Sequence, residues 1–190
     1  AGGGSFITLP TLVFLGIPPI NANTTSAASL LPGYLGSVIG FKNLYRDLNP
    51  KHLITLTVIA SSSSILGALL LINTEDKIFM SLLPWLILFA TLLFIFNPKR
   101  TEKKENRNNL PQFLGVTVVS IYGGYFNGGL GIATLAALSL GEDMTIKHLS
   151  AIKSLLSFIL TSVSVCIFFI SGFIEWSYVF YMMIFSALGG

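Results

Sequence analysis

The chain holds 190 residues, 53% of them hydrophobic and only 10% charged, with a mean hydropathy of +0.78. A soluble domain carries roughly 25% charged residues, so there are too few charges here to coat a water-facing globule. The net charge of +3 does not make a nucleic-acid binder, because the basic residues sit in two loops between apolar runs, where membrane topology accounts for them.

Ser5 to Ile17 is an apolar stretch ended by Pro18-Pro19. At ~1.5 Å per residue it covers about two thirds of a hydrocarbon core, which predicts a half-helix or the stub of a longer segment. Ala22 to Phe41 is long enough to span, with Thr24, Thr25, Ser26 and Ser29 near its start and Pro32-Gly33 inside it. Leu53 to Ile72 and Ile78 to Phe96 are further spans, the second in spite of Pro84. Leu110 to Phe126 stops at Asn127-Gly128-Gly129, and a short apolar piece, Leu130 to Leu140, follows. Ile146 to Ile170 is a full span, and Trp176 to Leu188 begins a last one. The chain opens on Ala1-Gly2-Gly3-Gly4 without an initiator Met and stops inside an apolar run, so a portion of a longer protein is expected. The lone cysteine, Cys166, excludes a disulfide within the chain and a multi-cysteine metal site.

Loop charges orient these segments. Lys42, Arg46 and Lys51 lie in one loop, and Lys99, Arg100, Lys103, Lys104 and Arg107 in another. Between them, Asn73 to Lys77 carries Glu75 and Asp76 against a single Lys. Two spans separate the basic loops, so both face the cytoplasm and the acidic turn faces outward. Ser171 to Glu175 has no Lys or Arg and prefers the outside, which requires Leu110 to Leu140 to return to its starting side as a re-entrant hairpin. The halves are then inverted; a single crossing makes them parallel instead. The loop charges favour the inverted arrangement.

A shift of 127 residues places Gly4 on Gly131 and Ser26 on Lys153. In each half a glycine cluster opens a short apolar piece, a polar turn follows, and a span with an early polar patch comes next. Duplicated halves with Gly-interrupted short segments point to a transporter site. The expected fold is an all-α polytopic membrane protein of two pseudo-symmetric, inverted repeats with short broken or re-entrant helices. Residues 1–97 form the first repeat, 98–109 a basic cytoplasmic linker and 110–190 the second repeat.

Lys153 is a lone charge in an apolar run, which costs a few kcal/mol in lipid unless it faces a polar cavity. Snorkelling to the interface is the competing reading, and about two turns of helix make that a long reach. Gly3, Gly4 and Ser5, and Gly129 with Gly131, stand at half-helix starts, where free N–H groups and a partial positive charge suit an anion. Close helix packing explains glycine there equally well. Thr25 and Ser26 offer neutral donors just inside the membrane, or merely cap and back-bond their helix. Asn127 either binds through its amide or caps the break. The run Ser61 to Ser64 reads as packing. The carboxylates fall at loops and span ends, and so do His52 and His148, so no catalytic constellation, metal site or cofactor is expected.

Gly2-Gly3-Gly4-Ser5-Phe6, Leu15-Gly16-Ile17-Pro18-Pro19 and Ala22-Asn23-Thr24-Thr25-Ser26 resemble the first-half signature of the TauE/SafE sulfite-exporter family. Gly123-Gly124-Tyr125-Phe126-Asn127-Gly128-Gly129-Leu130-Gly131-Ile132 and Ala151-Ile152-Lys153-Ser154-Leu155-Leu156-Ser157 resemble its second half, and Gly172 to Trp176 fits its Gly-x-x-x-Trp pattern. The family often has Asn where this chain has Ser154. The resemblance implies about eight spans in two repeats and further segments on either side of this chain. It also implies transport of sulfite, sulfonates or other small sulfur-containing anions across a bacterial inner membrane. The expected ligand set is Gly3, Gly4, Ser5, Thr25, Ser26, Asn127, Gly129, Gly131, Lys153 and Ser154. Expected partners are the lipid bilayer, a small anion and, as an open alternative, a second copy of the chain. The competing function is a non-transporting membrane assembly or receptor subunit.

Overall fold

A computed structural model describes residues 3–95, 109–141 and 144–189. These form eight α-helices and no strand: α1 Gly4–Phe14, α2 Pro19–Gly40, α3 Pro50–Ile72, α4 Asp76–Ile95, α5 Leu110–Tyr125, α6 Leu130–Leu138, α7 Ile146–Ile170 and α8 Trp176–Gly189. A 3-10 turn, Leu44–Asp47, joins α2 to α3. The basic linker expected at 98–109 lies outside the described residues except for Asn109.

Helix limits follow local chemistry. Pro19 and Pro50 occupy first-turn positions, where a missing N–H costs nothing. Asn49 caps α3 by accepting from Lys51 N–H at 3.1 Å, so this helix starts three residues earlier than hydropathy alone predicts. Thr145 accepts from His148 N–H and caps α7. Among the described residues, α3, Asp76–Leu93 of α4, and α7 are long and apolar enough to cross a membrane. α2 is as long but carries Asn23, Thr24, Thr25, Ser26 and Ser29, all of them buried within the bundle. Their burial reconciles a polar helix with an apolar surrounding. The outward faces are apolar in turn: Ile54, Val58 and Leu66 of α3, Trp85 of α4 and Phe185 of α8 are exposed.

Hydrogen bonds give the directions of the helices. Ile20 N–H donates to Asp76 Oδ1 at 3.0 Å, and the Thr24 hydroxyl donates to Phe173 O at 2.6 Å. The starts of α2 and α4 and the α7–α8 loop therefore share one end, termed the Glu175 end. At the other, the Asp47 end, Tyr45 OH donates to Ala151 O at 3.1 Å, and His52 stacks near Phe113. α2 and α7 thus run antiparallel. α5 and α6 form a hairpin: Gln112 Nε2 donates to Leu138 O at 3.3 Å near the Asp47 end, and a Cβ on Gly115 would lie 3.2 Å from Ala137 Cβ. α6 thus runs back toward the end at which α5 starts.

α3 and α5 cross with backbones in contact. A Cβ on Gly67 would stand 2.9 Å from Tyr125 N, and one on Gly124 would stand 3.0 Å from Ser64 Cα, so only glycine permits the approach. Ser61 and Ser64 return hydrogen bonds to their own helix backbone beside this crossing, in keeping with a packing role.

Candidate anion site between two half-helix starts

α1 packs antiparallel on α2. The hydroxyls of Thr8 and Ser26 share a 2.5 Å hydrogen bond, and a Cβ on Gly4 would meet Leu30 Cδ2 at 2.8 Å. Leu30 lies about 16 Å along α2 at 1.5 Å per residue, so α1 begins near the middle of the bundle. α6 begins there as well. Gly129, with φ +74°, supplies a left-handed turn ahead of α6, and a Cβ on it would lie 3.2 Å from Phe6 Cζ of α1. The two half-helix starts are thus neighbours, and the helices leave toward opposite ends. Each N-terminus carries roughly +0.5 of a charge and unpaired N–H groups.

The polar side chains at these starts are buried and incompletely paired. Ser5 is 1% exposed, and its hydroxyl has no partner among the described residues. Asn127, 3% exposed, accepts from Tyr34 OH at 3.4 Å through Oδ1, while its Nδ2 has none. Asn23 Nδ2 donates to Tyr125 O at 3.0 Å, leaving Oδ1 unpaired. Tyr122 OH donates to Gly128 O and fixes the break from behind. A buried donor without an acceptor costs about 1–3 kcal/mol. An anion held between the two starts would relieve that cost at Ser5 and Asn127.

The structure brings together Gly4, Ser5, Asn127, Gly129 and Gly131, with Ser26 one turn from Leu30 and Gly3 exposed at the N-cap of α1. Thr25 turns to the Glu175 end, where its hydroxyl accepts from Glu175 N–H at 3.0 Å. Lys153 is half-buried, about 10 Å into α7 from the Asp47 end. Ser26 lies at a comparable depth from the opposite end, so about 15 Å of bundle separates the two. Ser154 donates to Ser150 O at 2.9 Å. Among the described residues, Lys153 has no carboxylate within ion-pair distance, and no group of His, Cys, Asp and Glu could hold a metal. Thr8, Tyr34 and Thr161 are not singled out by the sequence reading. The spacing Ser154, Ser157, Thr161, Ser164 is the periodic signal that marks the polar face of α7.

The family described as "Sulfite exporter TauE/SafE" matches residues 1–190. The chain is 31% identical over 193 residues to a "probable membrane transporter protein" of Haemophilus influenzae, covering all of this chain and 75% of that protein. It is 26% identical to the "probable membrane transporter protein YfcA" of Escherichia coli K12, covering 71% of it. With the "probable membrane transporter protein ORF9" of a Sinorhizobium species it shares 27% identity over 143 residues, about half (53%) of that relative. No solved structure matches the chain significantly. A bundle with apolar outward faces, a polar interior and broken helices meeting at mid-depth agrees with these matches, and the chain belongs to the TauE/SafE family of membrane transporters.

Proposed function

We propose that the chain carries small sulfur-containing anions, such as sulfite or sulfonates, across a bacterial inner membrane by alternating access between two inverted halves. The observation that carries this reading is the meeting of the α1 and α6 starts at mid-depth, with buried, unpaired donors on Ser5 and Asn127. Backbone N–H groups near Gly3, Gly4, Gly129 and Gly131 surround the anion there, and Ser26 adds a neutral donor. Lys153 supplies the formal charge on the path from the Asp47 end, with Ser154 beside it, and Thr25 serves from the Glu175 end. Small pyramidal or tetrahedral oxyanions suit such a shell of many donors with the cation set apart.

The inverted arrangement is supported by the opposite courses of α1 and α6 and by antiparallel α2 and α7. The shift that pairs Ser26 with Lys153 also pairs Asn21 with His148 and Thr24 with Ala151. All four of these residues meet the loop at their own end of the bundle. Rocking of one half against the other would open the ends in turn. The test is uptake of sulfite, thiosulfate, sulfate and sulfonates into proteoliposomes. Wild type is expected to carry at least one of these, and Lys153→Ala to lower its flux at least tenfold while the protein stays folded. Normal flux in that variant would remove Lys153 from the path.

A further inference from the structure

α7 carries a row of buried hydroxyls, and they do not behave alike. A serine or threonine inside a helix has an acceptor always at hand, the carbonyl one turn back, and in apolar surroundings it normally uses it. Ser154 donates to Ser150 O at 2.9 Å, Ser162 to Phe158 O at 2.7 Å and Ser164 to Leu160 O at 2.9 Å. Ser157 and Thr161, each 1% exposed, have no hydrogen-bond partner among the described residues. Their hydroxyls do not make the bond to the carbonyl one turn back that three neighbours on the same helix donate.

Their position gives this meaning. Lys153, Ser157 and Thr161 follow one another at intervals of one turn, so they line one strip of α7. The strip is set to one side of the apolar row Leu149, Ile152, Leu156 and Leu160, which packs on α3, α5 and α6. Thr161 shares its side with Val165 and Phe168, which pack in the same cluster as Ala27 and Ala28 of α2. The depth is that of the α6 start: a Cβ on Gly123, in α5 beside the break, would lie 3.2 Å from Leu160 Cδ1. The strip therefore runs from the half-buried lysine inward to the level where Asn127 Nδ2 is also unpaired.

We propose that Ser157 and Thr161 donate hydrogen bonds directly to the transported oxyanion, relaying it between Lys153 and the α6 start. This rests on the anion-carrier reading above. Neutral donors suit the inner part of the path, because they replace hydration without holding the anion as a fixed charge would.

The test measures uptake kinetics of the full chain in proteoliposomes, with sulfite, thiosulfate and methanesulfonate as the probes. For whichever anion wild type carries, Ser157→Ala and Thr161→Val are each expected to raise KM about tenfold or more with little change in maximal rate, as loss of a charge-assisted hydrogen bond implies. Thr161→Ser, which keeps the hydroxyl, is expected to stay within about threefold of wild type, and Ser162→Ala to match it. If Thr161→Val does not fold, Thr161→Ala takes its place, and Ser157→Ala stands as an independent arm. A wild-type protein inert toward every probe overturns the anion-carrier reading and this assignment with it. A wild type that transports, beside folded variants of unaltered KM, overturns this assignment alone.

Discussion

At the Glu175 end, α2 reaches across to other elements through four hydrogen bonds: Ile20 N–H to Asp76, Asn21 to Glu175 Oε1 at 3.2 Å, Thr24 to Phe173 O, and Glu175 N–H to Thr25. At the Asp47 end, α7 meets the Leu44–Asp47 turn through Tyr45 OH on Ala151 O and a 3.9 Å pair between His148 and Asp47, whose carboxylate is mostly exposed. The cause is side-chain chemistry at matching positions. Thr24 brings a hydroxyl to its loop, whereas Ala151 can offer only its carbonyl and depends on a tyrosine from the loop. At about 0.5–1.5 kcal/mol net per hydrogen bond, the described contacts of α2 with the loop at its end hold more than those of α7 with the Leu44–Asp47 turn.

The largest effect is expected between the ends, where both depend on one crossing. Gly67→Leu drives a side chain into the backbone of α5 and should cost more than about 4 kcal/mol. Size-exclusion chromatography in detergent should then show no folded monomer. Recovery of a normal peak would mean that the α3–α5 contact does not hold the two ends in register.

Next comes the Glu175 end. Thr24→Val with Thr25→Val strands Phe173 O and Glu175 N–H, a loss of about 2–5 kcal/mol. The melting temperature should fall, and in a Cys166→Ser background, maleimide labelling of Ile174→Cys should rise. Unchanged labelling would show that these bonds do not close that end.

Tyr45→Phe should weaken the Asp47 end by about 0.5–1.5 kcal/mol. Burial raises the Tyr45 hydroxyl's pKa above its ordinary 10.0. The folded chain thus holds that proton more tightly than the unfolded one. Its contribution is complete below pH 10.0 and fades as pH rises through the raised value. Alkaline melts of wild type should show this loss and those of Tyr45→Phe should lack it; identical alkaline slopes would place the titration elsewhere. The smallest effect belongs to Asp47→Asn, expected to change stability by under about 0.5 kcal/mol because the carboxylate is mostly exposed and 3.9 Å away. A drop equal to that of Tyr45→Phe would make the two ends more alike than their geometry implies.

Much of this molecule is legible along the chain. Pro18-Pro19 and Asn127-Gly128-Gly129 announce the helix breaks, and α7 spans Ile146–Ile170 as its hydropathy predicts. Local chemistry decides those limits, so local reading finds them. The partners of Thr25 are not legible, because its bond to Glu175 joins residues 150 positions apart. The distance between Lys153 and Ser26 is equally hidden: the 127-residue shift sets one on the other, and only antiparallel packing of α2 and α7 puts them at opposite depths.

Composition by itself determined a membrane-embedded helical chain, since too few charges remain to face water, and the motifs determined its family. Tertiary structure decided which polar groups have partners. Ser154 and Ser157 are the same residue type on one helix, yet one bonds its own backbone and the other has no partner among the described residues. A hydroxyl's choice depends on its rotamer and on what packs over it, and both are set by helices distant in sequence.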